Sequence, residues 1–156
     1  MKNKDVCREV DGVEPIDVVD MEHLFLLQER LEHLTWPDWR QLGIIKAPLI
    51  AGCRRTRMTQ ELLACISNEV EEIREHLPWK HWKKYTRQMV KDLGYVDNGN
   101  ERVKEIQYEF IDLLHFLVAL MLLWGISPCD MRRIYGEKMA VNIKRQEDGY
   151  DSKEGE

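Results

Sequence analysis

Four carboxylates stand in two pairs with the same interval: Glu69-x-x-Glu72 and Glu109-x-x-Asp112. On a helix, an i, i+3 interval puts both acids of a pair on one face. With Ile66 at the centre of the surrounding apolar stripe, Glu69 lies about 60° from that centre and Glu72 about 120° away. Both border the buried side, whereas Glu71 and Glu75 point to the solvated side. Asp112 sits inside FIDLLHFLVALMLLW, whose neighbours leave little room for a solvent stripe. A lone buried carboxylate is costly or takes up a proton. One Lys, Arg or Tyr could satisfy a single Asp, and a solvated face accounts for Glu71 and Glu75. Two such pairs on two long helices point further, because four converging carboxylates cannot all stay ionised without cations. Hard oxygen ligands without a Cys or His cluster select Mg²⁺ or Mn²⁺.

A helical bundle with carboxylate pairs also suits a di-iron protein, but that class wants Glu-x-x-His pairs. Here His115 follows Asp112 by three residues and His76 follows Glu72 by four, so neither glutamate of the first pair has a histidine in register. A non-enzymatic helical interaction module with solvated acids is the alternative outside catalysis.

The elements that must position these acids are helices. Leu24, Leu27, Leu31 and Leu34 follow the 3–4 spacing of one helical face, which predicts a first helix from about Asp17 to Leu34. Residues 35–57 read as an ordered connection with two tryptophans. A second helix is expected from about Thr59 to Leu77, its stripe formed by Leu62, Ile66, Val70, Ile73 and Leu77, with Pro78 as the stop. Residues 78–93 form a short segment rich in Trp and Lys, and GYVDNGN at 94–100 is a loop by composition. A third helix runs from about Glu101 to Trp124, with Gly125 as its C′ residue. Ser127, Pro128 and Asp130 supply an N-cap, a proline at N1 and an acid at N3, opening a fourth helix to about Gln146. The domain reading is an arm over 1–15, an all-α catalytic domain over 16–148 and a tail over 149–156.

Composition agrees. Of 156 residues, 44% are hydrophobic and 33% charged, and only 9 are Gly and 5 Pro, which favours long helices over turn-rich β structure. The net charge of -5 argues against a nucleic-acid surface, because backbone binding needs clustered cations. The four cysteines, Cys7, Cys53, Cys65 and Cys129, form no CxxC pair and read as reduced thiols of a cytoplasmic protein. The N-terminus has no apolar core of a signal peptide. The most apolar run, Phe110–Trp124, is interrupted by Asp112 and His115 and reads as a core helix, not a membrane span.

The order ExxE, then ExxD on a later helix, resembles the all-α NTP pyrophosphatase superfamily, which includes MazG-like enzymes and dimeric dUTPases. Two segments narrow the likeness: Trp79-Lys80-His81-Trp82-Lys83, and Tyr135-x-x-Lys138-x-x-x-Asn142-x-x-Arg145-Gln146-x-x-Gly149-Tyr150. The latter is similar to the end of dimeric dUTPases and phage-type dCTP/dUTP pyrophosphatases. The likeness is strong over Glu69–Tyr150 and weaker over Leu24–Trp39, where LLQERL is similar to the family's first helix. It departs from the family at Glu32, where an Asn is usual, and in a long gap between Glu72 and Glu109.

The resemblance implies a four-helix-bundle-type NTP pyrophosphatase fold and hydrolysis of a deoxynucleoside triphosphate at its α-phosphorus. Glu69, Glu72, Glu109 and Asp112 would hold Mg²⁺, with Mn²⁺ able to substitute, and Glu72 would be the general base. Gln28 would read the base; Lys83, Lys138 and Arg145 would meet phosphates, and Asn142 the sugar or base edge. Without the family, the last helix reads as an ordinary amphipathic one, and Trp79 and Trp82 read as core or dimer packing. The expected substrate is dUTP, with dCTP added if Glu32 faces the base; preference for a purine would instead mark the MazG-like branch. The expected assembly is a homodimer or dimer of dimers, with no nucleic acid or membrane partner, in the cytoplasm (a host's, if a phage encodes it).

Overall fold

A computed structural model describes residues 16–36, 39, 48–80, 82–94 and 99–147. The expected arm, the tail, Cys7 and His81 lie outside the described residues. Within them the chain is all-α and holds five helices: α1 (Met21–Thr35), α2 (Pro48–His76), α3 (Arg87–Asp92), α4 (Glu101–Leu123) and α5 (Pro128–Glu147). Cys53, Cys65 and Cys129 are free thiols.

The helix ends follow from local chemistry. Asp20 caps α1 by accepting from the His23 amide at 2.8 Å. Asn100 caps α4, accepting from the Arg102 amide at 3.0 Å while its own amide donates to the Asp92 carbonyl at 2.8 Å. At the end of α4, Gly125 takes φ 72°, a left-handed conformation open to it because it has no Cβ. Gly125 N–H then donates to Leu122 O at 3.0 Å and Ile126 N–H to Met121 O at 2.8 Å, the paired bonds of a Schellman stop. The expected box opens α5: the Asp130 amide donates to Ser127 Oγ at 3.1 Å, and that hydroxyl donates to the Asp130 carboxylate at 2.7 Å.

α2 and α4 are the central pair, and they run antiparallel. Arg55, near the start of α2, donates from Nε to Leu123 O at the end of α4, 3.1 Å away, and its guanidinium lies 5.9 Å from the Trp124 ring centroid. At the opposite end, Arg102 donates to His76 O at 3.3 Å. Between the Arg55 end and the middle sits the core: Trp39, Met58, Leu62, Ala119 and Leu123, with Trp36, Phe116, Leu120 and Leu122 packed against it. α1 lies against α4 and α5, and an Arg132–Glu22 ion pair at 2.6 Å ties α5 to the start of α1.

The structure corrects three expectations about elements. α2 starts at Pro48, so much of the expected connection is helix; GCRRTR carries no apolar period, but Pro48 takes the first helical position and Met58 is fully buried. A short α3, capped by Thr86, lies in the Trp- and Lys-rich segment and adds a fifth helix to the four expected. α1 buries Phe25, Gln28 and Glu32, whereas Leu31 and Leu34 of the expected leucine face are exposed. Trp79 and Trp82 are exposed in the single chain, meeting edge to face with centroids 5.9 Å apart, so of core and dimer packing only the core half is removed. α4 is long and apolar enough by length and composition to cross a membrane, but here it packs along α2.

Candidate active site

The antiparallel register carries the two acidic pairs to the same level, past the apolar core toward the Arg102 end. Ligand oxygens of Glu69, Glu72 and Glu109 all lie within 4.8 Å of one another. Glu109 is buried, at 8% exposure, while Glu69 and Glu72 are half-buried. Asp112 does not occupy the dry setting its neighbours imply. Its side chain is 36% exposed, and it faces His115 Nδ1 at 3.9 Å. One turn separates Glu109 from Leu113, and the helix rotates Asp112 toward the cluster's rim, leaving Glu109 as the buried acid of the pair.

Electrostatics mark the four acids as one group. Burial raises the Glu69 carboxyl, and the charges of Glu72 and Asp112 raise it further; hydrogen bonds with Asn68 and Glu109 pull it partly back. Glu109 is pushed up to about 7, chiefly by burial, then by Glu72, Glu69, Asp112 and Glu105. Asn68 donates from its amide to Glu72 Oε1 at 2.5 Å, which fixes the Glu72 carboxylate one turn along α2.

The cluster fits a divalent cation. Its donors are all oxygen, from three or four carboxylates, and their mutual repulsion is the feature that a cation relieves. Glu109 also belongs to a second group with His76 and Glu105, whose ligand atoms likewise lie within 4.8 Å; His76 Nε2 is 3.9 Å from Glu109 Oε1. The sequence reading missed His76 and Glu105 as neighbours of the site. The available signals were spacing alone: His76 is one turn beyond Glu72, and Glu105 one turn before Glu109.

The remaining expected site residues are not gathered at the acids. Gln28 is buried on α1, where its Nε2 donates to Glu32 Oε1 at 2.5 Å. Lys83 is exposed in the turn after α2, and its amide donates to Lys80 O at 2.8 Å. Lys138, Asn142 and Arg145 are exposed along α5.

Comparison with known proteins agrees with the acidic pattern. A family model described as dUTPase matches residues 20–128, from the cap of α1 to the start of α5 and across all four acids. The C-terminal pattern from Tyr135 to Tyr150 lies beyond that match, and the first helix, the weaker part of the likeness, lies within it. A dCTP pyrophosphatase of Enterobacteria phage LZ5 is 36% identical over 73 residues, 46% of this chain. The aligned stretch spans 41% of that relative's length. No solved structure matches the chain. The matched span, which is most of the described fold and its whole acidic cluster, establishes that the chain belongs to the dUTPase family, in keeping with its likeness to the dimeric dUTPases and phage-type dCTP/dUTP pyrophosphatases of the all-α NTP pyrophosphatase superfamily.

Proposed function

We propose that this protein is a Mg²⁺-dependent deoxynucleoside triphosphate diphosphatase, hydrolysing dUTP and dCTP to the monophosphate and pyrophosphate. The observation that carries the reading is the convergence of Glu69, Glu72 and Glu109, with Asp112 at the rim, in a cluster whose charges repel. A bound divalent cation would supply a Lewis acid that draws phosphate oxygens in and acidifies water. The family description and the relative's name supply the two bases.

The chain's own part is positioning and proton transfer. Glu69, Glu72, Glu109 and Asp112 would hold the divalent cation. Glu72, steadied by Asn68, takes the proton from the attacking water. The water oxygen bonds to the α-phosphorus, the bond from that phosphorus to the α–β bridging oxygen breaks, and pyrophosphate leaves with the electron pair. Lys83, Lys138 and Arg145 neutralise phosphate charge, and Asn142 meets the sugar or base edge. The last three belong to an exposed helix, so they act when substrate or a second subunit completes the site.

The assembly we propose is a homodimer or a dimer of dimers. Leu31 and Leu34 on α1, Phe110 and Ile111 on α4, and Tyr135 and Ile143 on α5 are exposed in the single chain. That spread of large apolar side chains exceeds what scattered surface residues account for, and a second copy would bury them.

A panel of the four deoxynucleoside and four ribonucleoside triphosphates, assayed for pyrophosphate release with Mg²⁺ and with EDTA, tests the reading. The expected result is release from dUTP and dCTP that chelation abolishes. Preference for a purine would move the protein to the MazG-like branch. Failure to hydrolyse any of them would leave a helical oligomerisation module.

A further inference from the structure

α5 carries Lys138, Asn142 and Arg145, yet none of its side chains is buried. It leaves α4 through the turn at Gly125, where a φ of 72° bends the chain between the two helices. Most bonds along α5 are local. Ser127 and Asp130 close its cap, and Arg133 pairs with Asp130 at 3.3 Å and with Glu137 at 2.9 Å. Arg132 reaches further. Its Nη2 lies 2.6 Å from Glu22 Oε1 on α1 and donates to Cys129 Sγ, 3.4 Å away on its own helix. The guanidinium is thus held from both helices at once.

Glu22 is well placed to receive it. It stands in the first turn of α1, just after the Asp20 cap, where the helix dipole favours an anion. α1 itself is anchored, with Phe25 buried and the helix packed along α4. The bond to Arg132 lowers the Glu22 carboxyl, and the bond to Glu22 raises the guanidinium. An exposed ion pair adds little to overall stability. What this one fixes is direction. Arg145 stands 20 residues after Gly125, which is about 30 Å along a helix. A pivot of about 10° at the turn moves it by about 5 Å. A misplacement of about 1 Å is already enough to disturb a substrate contact.

We propose that the Glu22–Arg132 ion pair is the positioning contact that aims α5, and with it Lys138, Asn142 and Arg145, at the triphosphate. The assignment rests on the deoxynucleotide reading above. Glu22 and Arg132 do not touch substrate; they act through the three side chains further along the helix. Without the pair, α5 samples a range of directions, and substrate binds only the fraction that is correctly aimed. The apparent affinity falls by that fraction, while the chemistry at the acids is unaltered.

Steady-state kinetics with dCTP and dUTP in Mg²⁺ test the assignment on the wild type, Glu22→Arg, Arg132→Glu and the double swap. Each single reversal sets like charges facing each other and should raise KM about fivefold, with kcat within about twofold of wild type. The double swap restores the pair with its charges exchanged and should return KM to within about twofold of wild type. The two reversals change the net charge in opposite directions, so a general field acting on the anionic substrate would move their KM values oppositely. Both residues are about half exposed, and circular dichroism should show the helices intact. If a reversal failed to fold, Glu22→Gln, which only removes the charge, carries the same test with a KM rise of about threefold. Unchanged KM in the single variants, KM values that move oppositely, or a double swap that restores nothing overturns the role given to the pair. Absence of any hydrolysis by the wild type would instead overturn the enzymatic reading beneath it, and this assignment with it.

Discussion

Glu109 on α4 and Glu69 on α2 bring carboxylate oxygens within 4.8 Å of each other across the α2–α4 interface. Two ionised carboxylates this close repel, which favours a proton on one of them at neutral pH. Burial and four neighbouring acids make Glu109, pushed up to about 7, the natural holder. A cation that binds here has to displace that proton. Mg²⁺ affinity should therefore rise as pH rises through about 7, with proton release on binding. Calorimetric titration in buffers of different ionisation enthalpy measures both. Affinity that is flat across that interval, with no proton released, would count against the cluster as the cation site.

The same shift sets the metal-free stability. An unfolded glutamate titrates near 4.5, and folding raises Glu109 to about 7. Between those values the folded state holds more protons than the unfolded one, so stability falls as pH rises and is lowest above about 7. After allowance for solvent screening the effect is on the order of 1–2 kcal/mol. Glu109→Gln should remove this dependence and raise the metal-free Tm at alkaline pH, and saturating Mg²⁺ should raise the wild-type Tm there. Thermal melts across pH would refute this if the wild type were most stable at alkaline pH without metal.

Glu72→Gln should lower turnover by about 10²–10⁴-fold, the usual contribution of a general base, with the helical circular dichroism unchanged. Asn68→Ala frees the Glu72 carboxylate from its amide donor and should lower kcat by a smaller factor. Near-normal turnover in Glu72→Gln would place the base elsewhere.

The core should respond as the packing dictates. Leu62→Ala removes a buried side chain at the α2–α4 contact and should cost about 2–5 kcal/mol. The exposed Glu71→Gln should stay within about 0.5 kcal/mol of wild type. Urea midpoints at constant m measure both, and a mild effect at Leu62 would contradict the core as drawn.

What the sequence revealed and concealed follows from what each residue's burial depends on. The pairs Glu69–Glu72 and Glu109–Asp112 were legible because a helix fixes i, i+3 neighbours locally, and the caps at Ser127 and Gly125 because they depend on a few adjacent residues. Which member of the second pair is buried was not legible. Asp112 lies among apolar neighbours in sequence, but the rotation of α4 against α2 buries Glu109 instead. On α1 the leucine periodicity pointed to one face and packing buried another, since Phe25, Gln28 and Glu32 share a face whose polar members no hydrophobicity count would choose. The N-terminal half of α2 was missed because Arg54, Arg55 and Arg57 break the apolar period. Arg55 earns its place through a long-range bond to Leu123 and contact with Trp124.

Hydrolysis of dCTP or dUTP in ¹⁸O-labelled water, followed by phosphorus NMR with Mg²⁺ and with EDTA, tests the central claim most directly. Attack at the α-phosphorus by a water activated beside the four acids puts the label in the monophosphate, and chelation stops the reaction. Label in pyrophosphate, or turnover that persists under full chelation, would contradict the account.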